Sequence, residues 1–446
     1  MLSILTYSSF MVQRRESLKP NTFKSNDGEC WRYRGEGKTG LVVTNNCGLA
    51  LKLRKGTQEN DYLYLYTRNF LYVEVCIAPI FGPFLCYGQV TKLPPSLASN
   101  VISTIQNRRS SLKDSNIDLK CPYALMMPDA CSLPGHSNII TIEIKPKAYL
   151  RTTGNQQTPL KCCRFCSNIE KRYAAKLISA KTEYCPRDFF SPRASKVARA
   201  ISALFDEPLS YMTIHKDNKR IFDEDNKNIE EILGPQSYKT RNELINVIVK
   251  ILLSKRTSRN RNVLQVIEEA QQINTLSIPE LCNIYTQFNS KGLDIDIEIG
   301  KWLAGESTLN KEFLKLLDLI VKFSISIIAQ DISIMISISP VCDENLSQIV
   351  ANGKVYSYKV NIVDVDMKSA KKLPRYLVQE KELSVCQSDY NNHPLGGESA
   401  TTHLGNNCTS NEACLSECTD DNDSNGHLLN NHVHESTGKS GRQTRT

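Results

Sequence analysis

The run Ile139-Ile-Thr-Ile-Glu-Ile-Lys-Pro-Lys147 constrains the fold of this chain more than any other segment. Its alternation of apolar and polar residues predicts a strand, with Glu143, Lys145 and Lys147 on one face and Ile142 and Ile144 on the other. A carboxylate and two ammonium groups in a row are costly to bury without partners. Pro146 removes a ladder donor and marks the strand's end. Two readings stay open: a sheet edge blunted by lysines, or a strand end that faces clustered phosphates.

The rest of the chain supplies elements on both sides. Trp31-Arg-Tyr-Arg34, Leu41-Val-Val-Thr44 and Leu49 to Lys55 read as three strands, joined by a glycine turn at Gly35-Glu36-Gly37 and a second turn at Asn45-Asn46. Phe70 to Gln89 is apolar and broken by Pro79 and Pro83, Pro95 to Arg109 reads as helix, and Tyr123 to Met127 as strand. After Lys147 the texture turns helical. Ser191-Pro192 places a capping serine and an N1 proline ahead of Val197, Ile201 and Leu204. Asn242 to Leu253 and Val263 to Ile273 are further helices, and Lys311 to Phe323 carries Phe313, Leu316, Leu317 and Ile320 on one stripe. Ser324 to Ser339 alternates Ile with Ser and reads as a strand, followed by a second strand over Val355 to Val365. Residues 1–27 and 381–446 lack hydrophobic pattern and are expected to be disordered.

Composition narrows the class. Over 446 residues, 40% are hydrophobic and 23% charged, a globular balance, and the net charge of +8 allows an anionic partner without calling for nucleic acid. The sixteen cysteines are scattered, several in apolar runs where a reduced thiol packs as a small hydrophobe, so a reducing cytoplasmic or nuclear setting is expected. The apolar residues of Met1 to Met11 precede Arg14-Arg15, the reverse of a signal peptide, and no run long enough to span a membrane occurs.

Several groups suggest chemistry, each with a plainer alternative. Glycines at 35 and 37 would let backbone N–H groups approach phosphates, or simply turn a hairpin. Lys52 and Arg54 share one strand face and either neutralise phosphate or meet solvent. Asp331, in the run read as an apolar strand, either aligns a hydroxyl nucleophile or is a satisfied edge residue. Asp364 and Asp366, ending a strand, would hold Mg²⁺ or form an acidic turn. Lys368 and Lys372, if helical, reach one anionic ligand together, or make a solvated basic turn. Cys163 and Cys166 form a CxxC, but a structural zinc site needs four ligands; with Cys185 and His136 as the nearest other candidates and no matching pair, packing thiols are expected.

In order, the runs Trp31 to Gly37, Tyr123 to Asp129, Glu143 to Lys147, Cys163 to Cys166, Tyr184 to Ser191, Ala329 to Met335 and Val363 to Asp366 make the chain resemble the inositol-pentakisphosphate 2-kinase family. The resemblance implies an α+β, bilobal, distantly protein-kinase-like fold: a β-rich N-lobe over 28–138, a larger mixed C-lobe over 139–380, and ATP between them. It implies a monomeric enzyme that phosphorylates the 2-hydroxyl of inositol 1,3,4,5,6-pentakisphosphate with ATP and Mg²⁺, giving the hexakisphosphate (phytate). Gly35, Glu36, Gly37, Lys52, Arg54, Asp129 and Glu143 would serve the nucleotide. Lys145 would sit between the ligands, and Lys147, Arg164, Arg172, Lys368, Lys372 and Tyr376 would hold the inositol phosphates. Asp331 would act on the hydroxyl, and Asp364 with Asp366 on the metal.

The chain also departs from the family. Ser167-Asn168-Ile169 stands where Met-His-Gln is usual, Arg172 where a lysine is, and Ser210-Tyr211 where an Asn-Asn pair is; Lys113 would replace an arginine. These changes fall on the inositol side. They leave a second expectation open, a catalytically weak basic scaffold that binds inositol polyphosphate or RNA.

Overall fold

Alternating apolar residues early in the chain build a first sheet. In a computed structural model of the protein, the described residues are 21–22, 31–37, 40–55, 61–94, 97, 101, 121–147, 163–230, 232–233 and 238–379. Strands β1 (Asn21–Thr22), β2 (Arg32–Glu36), β3 (Gly40–Thr44), β4 (Leu49–Arg54), β5 (Gln89–Lys92) and β6 (Tyr123–Pro128) form a six-stranded sheet of order β1-β5-β6-β4-β3-β2. Its pairings are antiparallel, apart from the short parallel contact of β1 with β5. The β3–β4 turn follows from Asn45, whose side-chain oxygen accepts the N–H groups of Cys47 and Leu49 at 3.0 and 2.9 Å. Before β5 the backbone passes so close to β6 that a Cβ on Gly88 would stand 1.8 Å from the Met126 carbonyl oxygen, so only glycine fits there.

The glycine pair behaves differently from expectation. Gly35 and Glu36 lie inside β2, beside a bulge between Tyr33 and Gly35, and the hairpin closes after them through Gly37 N–H to the Gly40 carbonyl at 2.8 Å. The strand continues because neither Gly35 nor Gly37 adopts a positive φ.

Between β4 and β5 runs α1 (Tyr62–Tyr72), prolonged by a widened π turn (Val73–Ile77) and the short α2 (Ala78–Phe81). The sequence reading had only an apolar stretch from Phe70 to Gln89 here and left Tyr62 to Asn69 unassigned; Tyr-Leu-Tyr-Leu-Tyr shows no helical period.

A second six-stranded sheet, antiparallel throughout, runs β11-β12-β10-β7-β8-β9. Its strands are β7 (Ile140–Ile144), β8 (Met212–Lys216), β9 (Lys219–Phe222), β10 (Ser333–Ser339), β11 (Ser347–Ala351) and β12 (Lys354–Val363). Against it pack α3 (Arg164–Ala174), α4 (Pro186–Phe189), α5 (Ala194–Asp206), α6 (Arg241–Leu253), α7 (Val263–Gln271), α8 (Ile278–Ser290), α9 (Ile295–Leu303) and α10 (Lys311–Asp331). The buried side chains form one large cluster on this sheet and a small one on the first, built from Trp31, Leu41, Val43, Leu51, Leu53 and their neighbours. All described residues belong to one compact unit. Among them no helix is long and apolar enough to cross a membrane.

Two element boundaries correct the sequence reading. Ser324 to Asp331 is not strand but the end of α10, and only Ser333–Ser339 is extended. Phe323 to Ala329 are all buried, so the polar face that would reveal a helical period is missing. Helix α5 starts at Ala194 with Arg193 as N-cap, while Ser191 instead accepts the Arg193 N–H at 3.2 Å. The helix expected over Pro95 to Arg109 (beyond Leu97 and Val101), Lys113, and the tail from 381 lie outside the described residues.

Candidate active site

Strand β7 runs beside β10, and its charged end meets the ends of α10 and β12. Alternation stops at Ile144. Lys147 lies beyond the strand at φ 59°, so it does not continue the Glu143 face as expected. A left-handed backbone at a lysine persists only where surroundings fix it. Here the Lys145 N–H donates to the Tyr211 carbonyl at 2.8 Å and the Tyr184 hydroxyl donates to the Pro146 carbonyl at 2.8 Å.

That backbone brings Lys147 Nζ to 2.9 Å from Asp331 Oδ1, and Lys368 Nζ donates to Asp331 Oδ2 at 3.2 Å. Asp331 is the last residue of α10 rather than a strand residue, and its side chain is half exposed. Burial alone would raise its pKa; Lys147 and Lys368 outweigh that and hold it at about 2. The Lys147 ammonium also lies 5.6 Å from the centre of the Tyr211 ring, and Arg172 donates to the Tyr211 hydroxyl at 3.3 Å. Thus Lys147, Arg172 and Lys368 come together around Asp331 and Tyr211.

A second acid–lysine group stands one step along the chain. Lys52, on β4, bonds Asp366 Oδ2, and its Nζ is 3.9 Å from Asp364 Oδ1. Asn69, from α1, donates to Asp366 Oδ1 at 2.8 Å and accepts the Met367 N–H at 2.8 Å. Burial would raise the Asp366 pKa, but Lys52 and Asn69 bring it below the usual range. Both Asp366 oxygens are thereby engaged. Asp364, at φ 63° and half exposed, keeps the more open carboxylate, with Ser333 Oγ 3.4 Å from its Oδ2. These hard oxygen donors fit Mg²⁺, with Asp364 better placed than Asp366.

Glu143 sits between the groups. It accepts from Ser333 Oγ at 2.7 Å and Thr213 Oγ1 at 3.2 Å. Burial opposes its ionisation; the Lys145 charge and the Ser333 bond prevail and lower its pKa. Nearby His215, on β8, is pushed down to about 3 by burial and the Arg34 charge, and is neutral.

The remaining expected residues fall as follows. Glu36 pairs with Lys55 at 3.1 Å, both side chains fully buried, and Lys55 also bonds the Gly37 carbonyl at 3.0 Å. A Cβ on Gly35 or Gly37 would meet nothing within 4 Å, so that hairpin face is open. Arg54 shares the Lys52 face, its charge acting on the Tyr66 phenol. Asp129 follows β6, accepts the Cys131 N–H at 3.0 Å, and leaves Oδ2 buried without a partner among the described residues. Arg164 opens α3, but its side chain is outside the described residues. Lys368 and Lys372 do not share a helical face, because only Ala370–Lys372 forms a 3-10 turn between them; Lys372 is exposed and Tyr376 packs edge-on against Phe323 at 5.7 Å.

Sequence reasoning missed Asn69, Ser333 and Asp296. Asp296, near the start of α9, accepts the Ser369 hydroxyl and the Ala370 N–H (2.9 Å), and Asp294 pairs with Lys371 at 2.7 Å, which fixes the turn after Lys368. No local pattern signals a contact spanning so much sequence.

The CxxC is more organised than expected. Cys163 caps α3 with its Sγ 3.1 Å from Cys166 Sγ and 3.8 Å from Cys185 Sγ. Hydrogen bonds from its two neighbours lower the Cys185 pKa. No further His, Cys, Asp or Glu among the described residues completes the group, and His136 lies elsewhere, bonded to Ser339 and Asp343 at 2.9 Å each.

A carboxylate gripped by two lysines, beside a second acid–lysine group, is equipment for moving a phosphoryl group: the class is phosphotransferase. The chain belongs to the inositol-pentakisphosphate 2-kinase family, whose family model matches residues 33–382. A search of the curated proteins finds no match.

Proposed function

We propose that the chain transfers the γ-phosphoryl group of ATP to the 2-hydroxyl of inositol 1,3,4,5,6-pentakisphosphate, giving the hexakisphosphate. The observation that carries this is Asp331 held by Lys147 and Lys368 next to the Lys52–Asp364–Asp366 group. The bilobal, kinase-like placement of ATP belongs to the same reading. ATP lies between the open face of the Gly35–Gly37 hairpin and the Asp364 segment, with Lys52 against its phosphates and Asp129 near the adenine. Mg²⁺, held by Asp364, would neutralise charge on the transferring phosphate.

Lys147, Lys368 and Arg172 take the inositol phosphates. As they do so their charge is shared, and Asp331 regains basicity from its low value in the free protein. Its carboxylate then accepts a hydrogen bond from the 2-hydroxyl and aims that oxygen at the γ-phosphorus. Transfer of this kind depends on positioning and charge stabilisation more than on covalent chemistry.

The test is turnover of the full chain with ATP, Mg²⁺ and inositol pentakisphosphate, followed by chromatography of the product. Asp331→Asn is expected to lower kcat by about 10²- to 10⁴-fold with the fold intact. An unchanged kcat removes Asp331 from the mechanism. The altered positions Asn168, Arg172 and Tyr211 favour one second reading, an inositol-polyphosphate binder of weak activity. Tight binding without product, insensitive to Asp331→Asn, would select it.

A further inference from the structure

Gln271, the last residue of α7, is buried at 4% exposure behind the site and touches neither proposed ligand. Its amide nitrogen donates to the Lys147 carbonyl at 3.0 Å and to the Ala329 carbonyl at 3.1 Å. Both partners are carbonyls, which only accept, so the amide orientation is settled: the NH₂ must face them. One side chain thus joins the strand end that carries Lys147 to the helix end that carries Asp331. Its own backbone is held in turn, since Ser326 Oγ, on α10, donates to the Gln271 carbonyl at 2.9 Å.

The amide's contribution to stability is mixed, because it satisfies two carbonyls while orphaning its own oxygen. Pointing the NH₂ at two carbonyls turns Oε1 into a buried position where it has no hydrogen-bond partner among the described residues. An unmade bond at a buried acceptor offsets much of what two neutral bonds contribute. What the two donors do provide is geometry. They fix the carbonyl of Lys147, a residue with left-handed backbone, and the chain two residues before Asp331.

We infer that Gln271 is a positioning residue for phosphoryl transfer, setting the distance between Lys147 and Asp331 without touching substrate. This role presupposes the chemistry assigned to Asp331 under the proposed function. Small displacements of a positioned group are expensive in rate, on the order of 10²-fold for about 1 Å.

The experiment measures kcat, both KM values and Tm for the full chain, Gln271→Met, Gln271→Glu and Asp331→Asn. Gln271→Met keeps the length and removes both donors and the orphan oxygen. It is expected to lose about 10- to 100-fold in kcat, with KM for ATP unchanged and Tm lowered by the two carbonyls left unpaired. Gln271→Glu places an acceptor against two carbonyls, and its kcat, relative to the parent at the same pH, is expected to recover as acid restores one O–H donor. Full activity of Gln271→Met beside an inactive Asp331→Asn overturns the role of Gln271 alone. Full activity of Asp331→Asn overturns the site assignment and this inference with it. Loss of kcat only in step with the folded fraction, or failure of both Gln271 variants to fold, shows a structural residue and overturns the inference too.

Discussion

Two ammonium groups within 3.2 Å of the Asp331 carboxylate set its protonation. Its pKa of about 2 in the folded protein lies below the ordinary aspartate value of about 3.9. A depressed carboxyl stabilises the fold above the unfolded pKa, and that contribution disappears as pH falls toward the folded one. The difference in stability between the parent and Asp331→Asn is therefore expected to be constant from pH 7 to about 4, with the variant weaker, and to narrow below that. Because the side chain is half exposed, water limits the effect to about 1 kcal/mol or less. Urea unfolding at a series of pH values measures it, and a gap that does not close in acid removes the lysines as its cause. Asp331 itself was legible as an acid in an apolar setting. Its partners Lys147 and Lys368 stood out by charge, whereas Asn69, Ser333 and Gln271, which bond Asp366, Glu143 and the Lys147 carbonyl, are ordinary residues whose meaning lies in contacts across the fold.

At the scale of elements, legibility followed periodicity. The strands of the β2–β4 meander and β6, β7 and β12 were evident from short apolar or alternating runs bounded by turn residues, although β3 and β7 are buried on nearly both faces. The α10–β10 boundary was not, since Ser324-Ile-Ser-Ile obeys a period of two while the helix end is buried all round. Helix α8 could have been placed from Ser277 and Glu280, whose side chains and backbone form a capping box. Helix α9 gives its element a task beyond packing. Its buried Asp296 holds the Ser369 hydroxyl and the Ala370 N–H and so aims the segment bearing Lys368. Asp296→Ala leaves both donors without that acceptor, which is expected to cost about 1.5–3 kcal/mol of stability. Under the proposed function it also raises KM for the inositol substrate several-fold while Asp331 chemistry, and so kcat, is largely kept. Thermal unfolding with steady-state kinetics checks the pair of outcomes; a variant with lowered Tm and an unmoved KM would confine Asp296 to a structural role.

Across the whole molecule, the two sheets bring unequal cores. The first sheet encloses a small cluster around Leu41, Val43 and Leu51, and the second anchors nearly all other buried apolar residues. A small core excludes less surface per residue and opens at lower free energy. What ties the first sheet to the second is in good part polar: Lys52 to Asp366, Arg34 Nη1 to the Asn218 carbonyl at 2.9 Å, and Cys86 N–H to the Ile362 carbonyl at 3.0 Å. Two of these donors lie on the strands proposed to cover ATP. Amide hydrogens of Gly40–Thr44 and Leu49–Arg54 are therefore expected to exchange faster than those of Ser333–Ser339, which lies centrally in its sheet between β12 and β7. Under the proposed function ATP with Mg²⁺ binds only the folded arrangement, so it is expected to slow exchange in β3 and β4 and to leave β10 nearly unchanged. Lys52→Met removes the link and the phosphate partner together, and should abolish that protection. Hydrogen–deuterium exchange followed by mass spectrometry reads each strand separately. Equal exchange in both sheets would remove the weaker core as a source of opening, and ATP protection of β3 and β4 that survives Lys52→Met would mean that Lys52 serves only to pair with Asp366.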